Sequence, residues 1–459
     1  MMLAAPEYRA LPTDGYRRKS PAPRGLGPVE LADTILQALN PQIIDRFAEE
    51  SGFVKRERKI DPVAFLLALT LDFGISLQRS LALLKRGYEE RAQVALAYSS
   101  FHARFTPELV RFLRLCVAHA LTQLKEADGR LLAERLSVFE DILIKDSSVV
   151  RLHAKLASLW PATRSKKVAA GLKVDTLLSV RAHGPKTLAL VGERTHDVKL
   201  LRPGPWVRNR LLLFDLGYYS HRLFAKIGEN GGSFLTRVKG SADPVFVRSL
   251  QVHRGRAVDL EGHRLSEVLP RLDRGVLDAE VEIAFRRRVY RGTSHGDTLV
   301  CRLVGVWDEE HHEYHLYLTN VGTEALTAEE VAELYSLRWQ IELTFKELKS
   351  YYALDQISTA KPEAVEALLW ASLLTLIISR RIYNLVRRRA PEELRARYTP
   401  LRWATVFRQV APRILEITMD RYAGDRPNPD DGRVVSYFLT KEALDPHVRR
   451  HRLLDGFTD

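Results

Sequence analysis

Cysteine is nearly absent from this chain: 459 residues hold two, Cys116 and Cys301, each in an apolar setting. That excludes a disulfide framework and a cysteine-rich zinc site, and points to a reducing compartment such as the cytoplasm. The N-terminus, Met1 to Pro6, lacks a basic region leading into an apolar run, so no secretory leader is expected. Long apolar runs are missing too. The most apolar helical stretch, Ala367 to Ser379, has 13 residues, short of the roughly 20 needed to cross a bilayer; it is expected in a core, with no membrane partner. No internal repeat or low-complexity tract is apparent.

What is present is ordinary globular material with an unusual charge. Apolar residues make up 46% and charged residues 28%, enough for a real core. The length allows about two to four domains. Seventy Lys and Arg against 57 Asp and Glu leave +13 and an isoelectric point near 9.6, which favours a polyanionic partner. The basic clusters Arg164–Lys167, Arg286–Arg288, Arg380–Arg381 and Arg387–Arg389 are spread along the chain, as suits a long ligand such as nucleic acid. Each cluster alone would also serve as a solvated face.

Residues 1–27 mix prolines and glycines with basic residues and are expected as a flexible basic arm, with order beginning near Pro28. Asp61-Pro62 joins an N-cap to proline at the first helical position and starts a helix that Gly74 would stop; a second is expected from Ser76 to near Gly87. With the stretch Ser99–Phe105 and the cap Thr106-Pro107, these resemble helix-turn-helix material. Residues 28–135 are therefore read as a helical DNA-binding domain, with a plain helical bundle as the alternative.

After Leu136 the pattern turns strand-like. Phe139–Asp146, Gly171–Val180, Thr187–Val191, Leu211–Asp215 and Ser233–Val238 read as strands. A helix between Asp197 and Arg210 is interrupted by Pro203-Gly-Pro205, and another covers Ser220–Ile227. This order predicts an α/β fold with a mixed-sheet core over 136–239 and 322–360. Residues 240–321, with the strand patterns Val281–Phe285, Leu299–Trp307 and Tyr314–Leu318, read as a β-rich insertion. An irregular link (Leu354–Pro362), helices Glu363–Arg389 and Pro400–Ile417, and a loop at Gly424–Gly432 complete a helical C-terminal region, 361–459, a candidate dimerisation surface.

The stretch Tyr335–Lys349 contains neither Gly nor Pro. Leu334, Leu337, Ile341, Phe345 and Leu348 recur at helical spacing, which predicts one amphipathic helix with an apolar stripe. A second stripe, within an arc of about 80°, carries Tyr335, Arg338, Glu342, Lys346 and Lys349. It runs for about 21 Å at the rise of an α-helix, long enough to follow several phosphates, with a carboxylate at its middle. An exposed face with a Glu342–Lys346 pair would have the same spacing.

Asp146 and Asp215 each close an apolar strand, and in open sheets ligands bind at the carboxyl ends of buried strands. Either could instead be a turn residue, before Ser147-Ser148 or before Gly217. With Glu342 they make three hard oxygen donors suited to Mg²⁺ or Mn²⁺. Two such ions about 4 Å apart would support in-line phosphoryl transfer. His311-His-Glu-Tyr-His315 also admits a zinc reading, against that of a surface hairpin.

Tyr335-(2)-Arg338-(3)-Glu342-(6)-Lys349 matches, in all four residues and all three gaps, the Tyr-Arg-Glu-Lys signature of the DDE transposases of bacterial insertion sequences, which this chain resembles over roughly residues 95–360. Asp146-Ser-Ser and Asp215-Leu-Gly-Tyr are similar to that family's two aspartate motifs. The resemblance implies an RNase H-like core carrying a β insertion. It implies Asp146, Asp215 and Glu342 as ligands of two Mg²⁺ or Mn²⁺ ions, and Tyr335, Arg338 and Lys349 as phosphate-holding groups. It further implies cleavage of double-stranded DNA at transposon ends, a hairpin intermediate, its reopening and strand transfer into target DNA. Stable assembly on two DNA ends would require a homodimer, expected in the cytoplasm at the nucleoid. Lys346 and Trp339 lie on or beside the same stripe and are expected at the DNA, Trp339 by stacking on a displaced base. The aromatic residue that would capture a flipped base in the insertion has three candidates, Trp307, His315 and Tyr317. A non-catalytic DNA-binding repressor descended from such an enzyme is the alternative.

Overall fold

Proline at the first helical position costs no hydrogen bond, because that N–H has no intrahelical partner, and this chain starts many helices that way. A computed structural model describes residues 25–55, 60–75, 80–127, 136–163, 169–253, 256–257, 259–272, 275–287 and 295–447. The arm expected over 1–27 lies almost wholly outside the described residues, as does the cluster Arg164–Lys167. The N-terminal helices are α1 (Pro28–Ala38), α2 (Pro41–Glu50), α3 (Pro62–Leu71), α4 (Leu81–Ala92), α5 (Tyr98–His102) and α6 (Pro107–Ala127). Asp61 caps α3 by accepting the Ala64 N–H at 2.8 Å. Gly87 does not end a helix but lies inside α4. A Cβ there would stand 2.6 Å from the Asp72 carboxylate, which is paired with Arg91 at 3.1 Å.

The middle of the chain runs β1 (Asp141–Leu152), β2 (Ala170–Ser179), β3 (Gly184–Gly192), α7 (Asp197–Leu200), β4 (Arg210–Phe214), α8 (His221–Glu229), β5 (Ser233–Arg237), β6 (Val245–Ser249), β7 (Val252–His253), β8 (Arg256–Ala257), α9 (Leu265–Val268), β9 (Val276–Arg286), β10 (Gly296–Asp308) and β11 (Glu313–Thr319). Of the helix expected over 197–210, only the single turn α7 and a short 3-10 turn at Pro205–Val207 form. Among the described residues nine strands join in one mixed sheet, in the order β3-β2-β1-β4-β5-β11-β10-β9-β6. The strands read as an insertion therefore extend the core sheet rather than standing apart, because β11 pairs antiparallel with β5.

Side chains alternate across the sheet with period two. Ile142, Ile144, Leu211, Leu213 and Leu235 face one core; Leu143, Leu212, Phe214 and Phe234 face the other, where α8 lays down Leu223, Phe224 and Ile227. The chain ends with α10 (Ala328–Ser336), α11 (Trp339–Ser350), α12 (Pro362–Arg389), α13 (Glu392–Arg395), α14 (Pro400–Ala423) and α15 (Pro429–Tyr437). Residues 429–432, expected in a loop, form the start of α15.

The helical regions expected as separate N- and C-terminal units share one hydrophobic core. All of α3 beyond its first proline is buried. α12 is long and apolar enough to cross a membrane, yet 83% of its apolar window is buried inside the fold. Its Arg380 is buried and bonds the fully buried Glu347 of α11, which locks the two helices together. Arg380→Met should cost about 3–5 kcal/mol by leaving the carboxylate buried and alone, and adding Glu347→Leu should recover most of it. Urea unfolding of the single and double variants measures both.

Candidate active site

The register of β1 against β4 places the acids. The parallel pairing runs from Asp141↔Arg210 to Lys145↔Phe214, so the next residues along the two strands are Asp146 and Asp215. Adjacent strands lie about 4.8 Å apart. Asp146 is not at a strand end, as the sequence pattern predicted: β1 continues to Leu152, paired with β2. It stands where β4 stops, and the side of β1 beyond it is uncovered by strand. Asp146 Oδ1 accepts the Ser147 N–H at 2.7 Å. Asp215 leaves its strand as the cap of a 3-10 turn, with Oδ1 accepting the Gly217 N–H at 2.9 Å.

The expected single helix over 335–349 is two. Thr327 starts α10 with a reciprocal capping box to Glu330. Around the join, the N–H groups of Leu337, Arg338, Gln340 and Ile341 reach back three residues rather than four, a tight turn that separates Tyr335 from α11. The apolar stripe is as the spacing predicted: Leu334, Leu337, Ile341, Phe345 and Leu348 are all buried. The polar stripe is divided. Tyr335 is buried, with its hydroxyl on the Phe214 carbonyl at 3.4 Å and its ring against Tyr317. Lys349 Nζ donates to the Val149 carbonyl at 3.0 Å. These two contacts tie the α10–α11 pair to β4 and β1 on either side of Glu342. Glu342 itself pairs with Arg338 at 2.5 Å, not with Lys346. Lys346 and Trp339 are exposed, Trp339 at 58%.

The acids share one electrostatic neighbourhood. Burial, then the charge of Asp215, raise Asp146 from 3.8 to about 7, with the Ser147 N–H and Arg338 pulling the other way and Asp197 adding to the rise. The buried Tyr218 hydroxyl is pushed far up by desolvation and then by Asp175, Asp197, Asp146 and Asp215. Asp197 was not among the predicted residues. It accepts from Ser147 Oγ and from Lys173 Nζ, both at 2.9 Å; a sequence separation of 50 residues and no shared pattern concealed it. On the same face Lys145 is buried against Asp175 at 2.5 Å.

Among the described residues no three His, Cys, Asp or Glu side chains form a ready metal-ligand group. Glu342 is occupied by Arg338. The donor chemistry nonetheless fits a hard divalent cation: two adjacent carboxylates that repel each other, and a third held by a guanidinium that also acts on Asp146. Elsewhere the predicted groups are committed to the fold. His311 and His315 both face the Asp308 carboxylate, at 2.9 and 3.4 Å. Trp307 packs on Tyr314. Arg381 bonds the carbonyls of Thr34 and Gln123, and Arg387 lies over Tyr383 beside His183.

Because Asp146 keeps its proton in the folded chain up to about pH 7 and loses it near 3.8 when unfolded, the fold binds more protons in that window, and stability falls as pH rises through it. Asp146→Asn should raise the thermal midpoint only modestly at pH 5, part-way into that window, and by several degrees at pH 8, beyond it. Equal shifts at both values would separate Asp146 from its charged neighbours.

A family model described as the Transposase DDE domain matches residues 138–378, more than half of the chain. The transposase for insertion sequence element IS231F of Bacillus thuringiensis subsp. israelensis is 24% identical over 374 residues, 74% of this chain and 77% of that protein. The transposase for IS1151 of Clostridium perfringens is 20% identical over 377 residues, covering 76% and 79%. The putative transposase InsL for IS186A of Escherichia coli is 44% identical over 63 residues, 14% of this chain and 17% of that protein. A cryo-EM structure of piggyBac transposase in a synaptic complex with hairpin DNA covers 90% of this chain and 85% of its own at 10% identity, with a TM-score of 0.43, too low to carry weight on the fold. With the domain match running from β1 into α12 and both aspartates and Glu342 inside it, the chain belongs to the DDE transposases of bacterial insertion sequences.

Proposed function

We propose that this DNA transposase cleaves phosphodiester bonds at the ends of its element and joins them to target DNA at the site formed by Asp146, Asp215 and Glu342. The observation that carries the reading is the β1–β4 register, which sets the two aspartates side by side, with α11 tied to β1 by Lys349 and α10 to β4 by Tyr335. The order β3-β2-β1-β4-β5, antiparallel through β1 and parallel from β1 to β5, supports an RNase H-like core. Two Mg²⁺ or Mn²⁺ ions would supply activation of the attacking water or 3′-hydroxyl and stabilise charge on the leaving oxygen. Asp146, Asp215 and Glu342 would hold them.

The chain's own groups divide the remaining tasks. Arg338 neutralises the acids while no DNA is bound, and a backbone phosphate would compete for it and free Glu342. Tyr335 and Lys349 orient the helices through their carbonyl contacts rather than reaching outward. Lys346 meets a phosphate, and the exposed Trp339 offers its face to a displaced base, a contact worth about 1–3 kcal/mol. In this reading a hairpin forms on each transposon end and is reopened before strand transfer. Synapsis of two ends calls for a homodimer; α12 is too deeply buried to supply much of its interface.

Mg²⁺-dependent nicking of terminal-repeat DNA should fall about 10³-fold or more in Asp146→Ala, Asp215→Ala and Glu342→Gln, with DNA binding retained. Full activity in any of them removes that residue from the site, and binding without cleavage by the unaltered chain in Mn²⁺ would favour a repressor. Lys346→Ala should weaken DNA binding evenly across sequences and lower the salt slope by about 1.

A further inference from the structure

One buried polar atom beside the acids is unexplained by the fold. Thr176 lies on β2 directly across the ladder from Asp146. It is 0% exposed, and its Oγ1 has no hydrogen-bond partner. Directly opposed residues of an antiparallel pair share a face, with Cβ atoms about 4.5–5.5 Å apart. On its other side Thr176 faces Leu188 of β3. Its neighbours two residues away along β2, Val174 and Leu178, are apolar, as is Ile144 on the diagonal; Ser148, on the other diagonal, carries a hydroxyl. Asp146 is thus the one carboxylate directly opposite this hydroxyl. Among the described residues Oδ1 of Asp146 takes the Ser147 N–H and no hydrogen bond reaches Oδ2.

A hydroxyl shut away from water with no partner is unfavourable, and valine would fill the same space without that cost. We propose that Thr176 is a positioning residue for Asp146, its hydroxyl donating to the Asp146 carboxylate and fixing its orientation when that carboxylate turns to bind a divalent cation. The bond is unmade here, where Arg338 and Ser147 balance Asp146 instead, and forms when the carboxylate is recruited. This inference rests on Asp146 being a ligand, as proposed above.

The test compares the full-length chain with Thr176→Val, Thr176→Ser, Thr176→Ala and Asp146→Ala. Mg²⁺ alone is titrated while the thermal midpoint is followed, and nicking of terminal-repeat DNA is measured separately. Thr176→Val should keep or raise the midpoint without Mg²⁺, need about tenfold more Mg²⁺ for half of the Mg²⁺-induced shift, and nick about tenfold more slowly. Thr176→Ser should restore both. Should Thr176→Val not fold, Thr176→Ser against Thr176→Ala isolates the hydroxyl, since both lack the methyl group. Wild-type Mg²⁺ response and rate in Thr176→Val, or in Thr176→Ala relative to Thr176→Ser, would overturn the proposal. If Asp146→Ala responds to Mg²⁺ and nicks like the unaltered chain, the ligand role of Asp146 fails and this inference falls with it. An essential Asp146 with an indifferent Thr176 sinks the inference alone.

Discussion

Two like charges held side by side by backbone pairing are the constraint on which this structure turns. The parallel ladder between β1 and β4 is a product of buried leucines and isoleucines packing on both faces of the sheet, and it leaves Asp146 and Asp215 adjacent whether or not anything neutralises them. Burial and mutual repulsion then raise Asp146 toward neutrality. Arg338 relieves part of that repulsion and holds Glu342 in the same contact. Such a site is primed for exchange, because a cation and a phosphate together replace what one guanidinium does alone.

The scaffold explains why the arrangement is stable. The sheet does not stop at its parallel core: β11, β10, β9 and β6 extend it, so the segment between Asp215 and Glu342 leaves the core and returns through the same hydrogen-bonded layer. On the opposite side of the helices, the Arg380–Glu347 pair fixes α11 against α12. Lys349 fixes α11 against β1, and Tyr335 fixes α10 against β4. Part of the basic charge that the composition points to is spent inside the molecule: Arg381 on carbonyls, and Arg380, Arg302 and Lys145 on acids. Among the described residues, Lys346, Trp339 and, next to Asp215, Leu216 stay exposed near the acids, as does Arg237, one residue past the partner of Phe214 on β5.

The strands of the core were legible because β-branched and leucine-rich runs with period two are local signals, and so were the helix starts, which proline and a capping Asp or Thr announce within a few residues. The boundaries drawn between helical domains were not. N- and C-terminal helices share a core, and amphipathic stripes say that a face is buried without saying against what. The same limit split the helix carrying Glu342: spacing is compatible with a straight helix through Arg338, whereas the packing of Tyr335 against β4 and Tyr317 draws α10 and α11 apart at that point.

By itself the sequence determined which residues could do chemistry: the spacing of Tyr335, Arg338, Glu342 and Lys349, and the aspartates that follow apolar strands. These are short-range facts, encoded by intervals along one chain. Only the tertiary structure decided that Asp146 lies mid-strand beside Asp215, that Asp197 and Thr176 belong to the same neighbourhood, and that Tyr335 and Lys349 face inward. Those outcomes depend on strand register and helix docking, which arise from contacts between segments tens to hundreds of residues apart, where no local periodicity carries information.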